Sequence, residues 1–373
     1  MENKLHSLLA SRRVLLADGA TGTNLFAVGL ETGDAPELWN VDHPERIAAL
    51  HRSFVDAGSD IILTNSFGGT RYRLDLHKAG HRVAELNRRA AEIAREEAER
   101  PRNAGDTDRI VLVAGSIGPT GEILEPSGAL SIEAASEAFR EQAEALAAGG
   151  ADIFWIETIS SKEEIRAAIL GTAGLGLPIA FTVSIDTNGR TMMGLTASDT
   201  LHIGAELETE LEQAARETGK DSVDAPLIAA VGTNCGIGAS EVVAAIVNIC
   251  KAGESLDYRP AFVAKANCGI PEYVDGKIVY NGTPELMSEY VILAANAGAR
   301  IIGGCCGTTP AHVAAMRKSL DAWTPGPAPT LADIEASLGE VSTGAKAQLA
   351  GDLSVAGGSA SGRGVRRSRR RRS

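Results

Sequence analysis

Eight short apolar runs recur along the chain, most followed by a stretch of helical period, and this repetition restricts the possible folds more than any other feature. They are VLLAD at 14–18, IILTN at 61–65, IVLVAGS at 110–116, IFWIE at 153–157, PIAFTVS at 178–184, LIAAVGTN at 227–234, AFVAKAN at 261–267 and RIIGG at 300–304. Near-continuous apolar strands need cover on both faces, and crossover helices supply the outer cover. Segments such as PERIAALHRSFVDAG, SIEAASEAFREQAEALAAGG and TPELMSEYVILAANAG carry that helical period. Several end in the glycine expected just past a helix C-terminus, and two begin with proline in or near the first turn. Eight β-then-α units predict a closed (β/α)₈ TIM barrel over residues 1–324, with a doubly wound open sheet as the alternative.

In a barrel the functional groups gather at the C-terminal strand ends. Here those ends carry Asp18 and Gly19, Thr64 and Asn65, Ser116, Glu157, Ser184, Asn234 and Cys235, Asn267, and the pair Cys305 and Cys306. Strands six and eight therefore direct three thiols to one mouth. A vicinal pair can also close a strained disulfide, and a free cysteine is often just a small buried hydrophobe. Five cysteines suit no closed disulfide framework, MENKLHSLLA does not read as a signal peptide, and glycines flank the thiols, so the reading favoured is a zinc site. Cys250, on the apolar face of a predicted helix, is expected in the core; Cys268 ends a strand near the site without being a ligand.

The 373 residues are 44% hydrophobic and 4% aromatic, with no apolar run long enough to span a bilayer, which predicts a cytoplasmic enzyme without membrane contact. The net charge is −12 although seven arginines crowd the last eleven residues, so the body is more acidic than that figure suggests. Residues 325–373 are rich in Gly, Ser and Ala and are expected to be a linker and a disordered Arg-rich tail. No aromatic residues accompany those arginines, which argues against specific nucleic-acid binding. Association of identical copies through outer helices is left open.

The runs ADGATGTNL, TNSFGG, SIGPTGE, IETISS, GTNCGIG and GGCCGTTP, in this order between residues 12 and 322, resemble the homocysteine S-methyltransferases. That family comprises zinc-dependent barrels that methylate homocysteine to methionine, including betaine-homocysteine methyltransferases and the homocysteine module of cobalamin-dependent methionine synthase. The resemblance implies that Cys235, Cys305 and Cys306 hold Zn²⁺ and that the fourth position takes the homocysteine sulfur as a thiolate. It also implies that Asp18 and Glu157 hold the substrate amino group. Asp before Gly is common in turns, so Asp18 has a plain alternative role, whereas a carboxylate directly after IFWI is costly to desolvate without a cationic partner. Backbone donors of DGATG, including Gly19, are expected to meet the substrate carboxylate.

The methyl donor is less constrained. A quaternary ammonium donor such as betaine favours an aromatic cage, and Trp39, Phe67 and Tyr72 in the first two loops are the candidates, against ordinary packing as the alternative. Betaine is the donor expected first; S-methylmethionine or another sulfonium is a cation that suits the same rings. IETISS and SIGPTGE look closer to the methionine synthase module, in which case methyl would come from a separate corrinoid protein. A reading from another class makes the chain a homocysteine-activating subunit without turnover of its own. A dehydrogenase is disfavoured because ADGATGTNL lacks the dinucleotide fingerprint. The loop SIDTNGRTMMG, with its turn signal Asn188-Gly189, is either a lid over the mouth or a plain hairpin.

Overall fold

The structure is a computed structural model that describes residues 3–100, 109–186, 188–217, 227–269, 271–274 and 277–353. Eight parallel strands form the barrel: β1 (Leu15–Leu16), β2 (Ile61–Leu63), β3 (Leu112–Ile117), β4 (Ile153–Ile159), β5 (Ile179–Ser184), β6 (Ile228–Cys235), β7 (Ala261–Ala266) and, after a two-stranded hairpin of β8 (Pro271–Val274) and β9 (Lys277–Tyr280), β10 (Ile301–Gly304). Neighbours run in the order β1-β10-β7-β6-β5-β4-β3-β2, and a parallel bridge from Ala17 to Ile61 joins the first strand to the second. The eight expected strands are these eight. The hairpin between β7 and β10 is an addition that the apolar pattern did not indicate.

Side chains alternate across each strand. Leu15 and Ala17, Ile61 and Leu63, Leu112 and Ala114, Ile153 and Trp155, Ala180, Ala230, Val263 and Ile301 fill the barrel interior, and Leu5 and Leu8 of the helix Lys4–Ser11 join them. The residues of opposite parity, such as Leu16, Ile62, Val113, Phe154, Phe181, Val231 and Ile302, belong to the outer layer under the helices. The apolar interior ends about halfway up. Continuing the same alternation toward the strand ends brings Ser116, Glu157, Thr182, Asn234, Lys265 and Gly303 inward, above the apolar layers.

Residues 331–349 correct the expectation of a featureless linker. They form the helices Leu331–Leu338 and Thr343–Leu349, capped by the Thr330 and Ser342 hydroxyls. Both pack on the helix Ala239–Gly253, which is buried on nearly every side. Ile334, Val341 and Ala345 enter the main core. The strongly basic C-terminus expected to be disordered lies outside the described residues.

Because Ile334 has no exposed surface, Ile334→Ala should cost about 2 to 4 kcal/mol. Urea unfolding of the full chain measures it, and a change near zero would restore the linker reading.

The second of these helices also fixes the loop after β5. Asn188 and Gly189 both take positive φ; Asn188 Oδ1 accepts from Gly344 N at 2.5 Å, and Gln348 Nε2 donates to Gly189 O at 2.8 Å. The loop folds back through a bridge from Arg190 to Thr196 and presents Met192 at 76% exposure. It is a pinned turn in this structure. Among the described residues no helix is long and apolar enough to cross a membrane.

Candidate active site

The three thiols meet at one side of the barrel mouth. Cys235 ends β6 with φ +58°, and Thr158, just after Glu157 on β4, has φ +65°. This left-handed conformation is costly for residues other than glycine and persists only where the surroundings enforce it. Asn234 supplies part of that enforcement. Its Oδ1 accepts from Thr158 N at 2.9 Å and from the Thr182 hydroxyl at 2.7 Å, while its Nδ2 donates to Thr158 Oγ1 at 2.8 Å and faces Cys305 Sγ at 3.9 Å. Asn267 plays the matching part after β7: its Oδ1 accepts from Cys306 N at 3.1 Å and its Nδ2 donates to Gly236 O at 2.7 Å.

Cys235 Sγ lies 3.8 Å from Cys306 Sγ, and the three sulfurs lie within 4.8 Å of one another. Sulfurs placed about 2.3 Å from a tetrahedral zinc are separated by about 3.8 Å, so this donor set fits such an ion with one position to spare. Among the described residues no other trio of His, Cys, Asp or Glu comes together in this way. Hydrogen bonds from Cys235 and Cys305 hold the Cys306 thiol well below the usual range, while the same contacts push Cys235 up. Cys268 is fully buried, and its backbone N–H donates to Cys306 O at 2.9 Å; Cys250 is half-buried and donates to Ala297 O at 3.0 Å.

Below the thiols lies a charged floor. Glu157 is buried and accepts the Ser116 hydroxyl at 2.5 Å; burial pushes its carboxyl up to about 7, against the pull of Lys265. Asp18 is also buried. Its Oδ1 accepts from Lys265 Nζ at 2.8 Å and its Oδ2 from Leu63 N at 2.8 Å. Burial alone would lower the Lys265 ammonium, but Asp18 and Glu157 together hold it above its ordinary value. Lys265 also lies 6.0 Å from the Trp155 ring centre. It went unnoticed in the sequence, although AFVAKAN carries the signal: residues 261 and 263 face inward, so 265 does too. Gly19 lets the first loop approach the last, since a Cβ there would lie 2.6 Å from Thr308 O.

The three aromatic candidates lie in different surroundings. Trp39 is packed with Leu25, Leu30, Ile47 and Ile93, away from the barrel interior; the Arg46 guanidinium lies 4.8 Å from its ring centre and the His43 ring is edge-on at 4.9 Å. That ring is occupied by its own neighbours, so Trp39 is withdrawn as a donor contact. Phe67 is partly exposed, with its ring against Gly118. Tyr72 is half-buried in the helix Arg71–Asp75. Another aromatic stands beside the thiols: Tyr280, at the end of β9, packs against Gly307, the residue after Cys306.

The profile described as homocysteine S-methyltransferase matches residues 15–320. The methionine synthase of Mycobacterium tuberculosis is 30% identical over an alignment of 316 residues that covers 81% of this chain and 24% of that protein. The methionine synthase of Mycobacterium leprae is 29% identical over the same length. The chain thus spans about a quarter of the length of these curated relatives. Among solved structures, the homocysteine methyltransferase MmuM of Escherichia coli in its metallated form superposes with a TM-score of 0.64 at 27% identity, covering 85% of this chain and 99% of that one. Its oxidized form gives a TM-score of 0.65.

Proposed function

Because the chain belongs to the homocysteine S-methyltransferase family, we propose that it methylates homocysteine to methionine at a zinc ion held by Cys235, Cys305 and Cys306. The observation that carries this reading is the convergence of three thiols above a floor with two buried carboxylates. An ordinary thiol is only a few per cent thiolate at neutral pH, and a zinc ion bound here would supply the acidity that makes the substrate sulfur a nucleophile.

The chain's own residues do the positioning. Of the two floor carboxylates Glu157 faces the substrate ammonium, and the thiol trio faces its sulfur, so the amino acid is held at both ends. Asn234 and Asn267 fix the strand ends that carry the cysteines. Held in this way, the sulfur meets the donor's methyl carbon on the side opposite the leaving group, and orientation of this kind accounts for a large share of the acceleration.

For the donor, betaine remains the first compound to test. With Trp39 withdrawn, Phe67 and Tyr72 are the rings left from the original set to meet a cation, whether ammonium or sulfonium. A second reading has its own support. The curated relatives are methionine synthases of about four times the matched length, which fits a homocysteine-activating part that takes methyl from a separate corrinoid protein.

Purified, zinc-loaded protein given homocysteine and betaine should form methionine in proportion to enzyme and lose that activity to a chelator, with S-methylmethionine run in parallel. If neither small donor yields methionine but a methylated corrinoid protein does, the second reading replaces the first. If none of the three yields methionine, methyl transfer to homocysteine is rejected.

A further inference from the structure

We propose that Lys265 is a positioning residue that occupies Asp18 and thereby leaves Glu157 as the acceptor of the substrate ammonium. The inference rests on homocysteine as substrate and deepens that reading. Lys265 is 1% exposed, and its strand neighbours in register are Asn234 on β6 and Gly303 on β10. Gly303 adds no side chain beside it, and Asp18 comes from the end of β1 on the far side of β10. Lys265 Nζ donates to Asp18 Oδ1 at 2.8 Å and faces Asp18 O at 3.3 Å. With Leu63 N on Oδ2, both oxygens of Asp18 already have partners.

Glu157 differs. One of its oxygens takes the Ser116 hydroxyl, and among the described residues the other has no hydrogen-bond partner. The floor therefore holds two carboxylates and one ammonium. It is short by one cation, and the α-ammonium of an amino acid supplies it at the carboxylate with a free oxygen. A buried charge without a partner is costly, so the same deficit selects against thiols that lack the amino group.

Calorimetric titration of the zinc-loaded full chain with L-homocysteine, and with 4-mercaptobutyrate as the analogue lacking the amino group, separates the alternatives without depending on the methyl donor. Glu157→Gln should weaken homocysteine more than tenfold while changing the analogue less than threefold. Lys265→Met should release Asp18 to take the ammonium, so that adding Glu157→Gln in that background costs less than threefold. Lys265→Met leaves Asp18 buried without its cation, at a cost to folding, so Lys265→Met combined with Asp18→Asn, which removes both charges, is the second variant. That pair should weaken homocysteine far less than Glu157→Gln does.

Equal losses from the Lys265/Asp18 pair and from Glu157→Gln, or a Glu157→Gln effect unchanged by Lys265→Met, would overturn the assignment to Lys265 while leaving homocysteine as substrate. Wild-type protein that carries zinc yet binds no homocysteine would overturn the functional reading and this inference with it.

Discussion

Cys306→Ala is expected to leave a folded barrel that retains no zinc and makes no methionine from homocysteine. Two thiols and a methyl group do not reproduce the three-sulfur set, so a tetrahedral ion would lose one of its three protein ligands. The fold should survive. Cys306 is half-buried, stands outside the apolar layers of the barrel, and engages Asn267 through its backbone N–H, which alanine keeps. A change in unfolding free energy of no more than about 1 kcal/mol is in line with a partly exposed truncation. Metal content by atomic emission, the circular dichroism spectrum and a methionine assay on one preparation give the three readings. Stoichiometric zinc together with full activity would remove Cys306 from the site, and with it the three-thiol centre.

The barrel was legible because most strands ran nearly unbroken in apolar residues, and because strand ends in a barrel point to one mouth. The thiols and the two carboxylates followed from that geometry. Lys265 did not, although a lysine inside AFVAKAN breaks the apolar run; its partner Asp18 lies nearly the whole chain away, and pairing over that distance needs the closed barrel. Trp39 shows a related limit: a loop after a strand need not face the mouth, and here Trp39 packs in a small apolar cluster of its own.

The C-terminal helices were hidden by composition averaged over too long a window. TLADIEASL and STGAKAQL each start with a capping hydroxyl, yet helices of 8 and 7 residues are marginal on their own and form only where they can dock. The surface they dock on was visible in EVVAAIVNIC, which is apolar almost all round. Such a helix needs cover on its outer side as well as its inner side.

Glu157→Gln should exchange binding for stability, and the sign follows from the carboxyl's position. The folded value near 7 lies above the ordinary 4.5 because burial disfavours the charge. Below about pH 4.5 the carboxyl is protonated in both folded and unfolded chains and carries no penalty. As the pH rises from there to about 7, the unfolded chain gives up its proton while the folded one keeps it, so stability falls; above 7 the penalty stays constant. A shift of this size corresponds to about 3 kcal/mol. Glutamine keeps an acceptor for the Ser116 hydroxyl but has no charge to bury. The variant should therefore be more stable than wild type by up to about 3 kcal/mol at pH 8, with the difference vanishing near pH 4.5, as read by urea unfolding at both values. Homocysteine binding should move the other way: loss of a charged hydrogen bond weakens it about 10- to 100-fold at pH 8. In wild type, affinity should decline as the pH drops below 7, and the part of that decline due to Glu157 should be missing from the variant. A less stable variant at pH 8 would show that the buried charge is fully compensated before substrate arrives, and would take from Glu157 its reason to seek an ammonium.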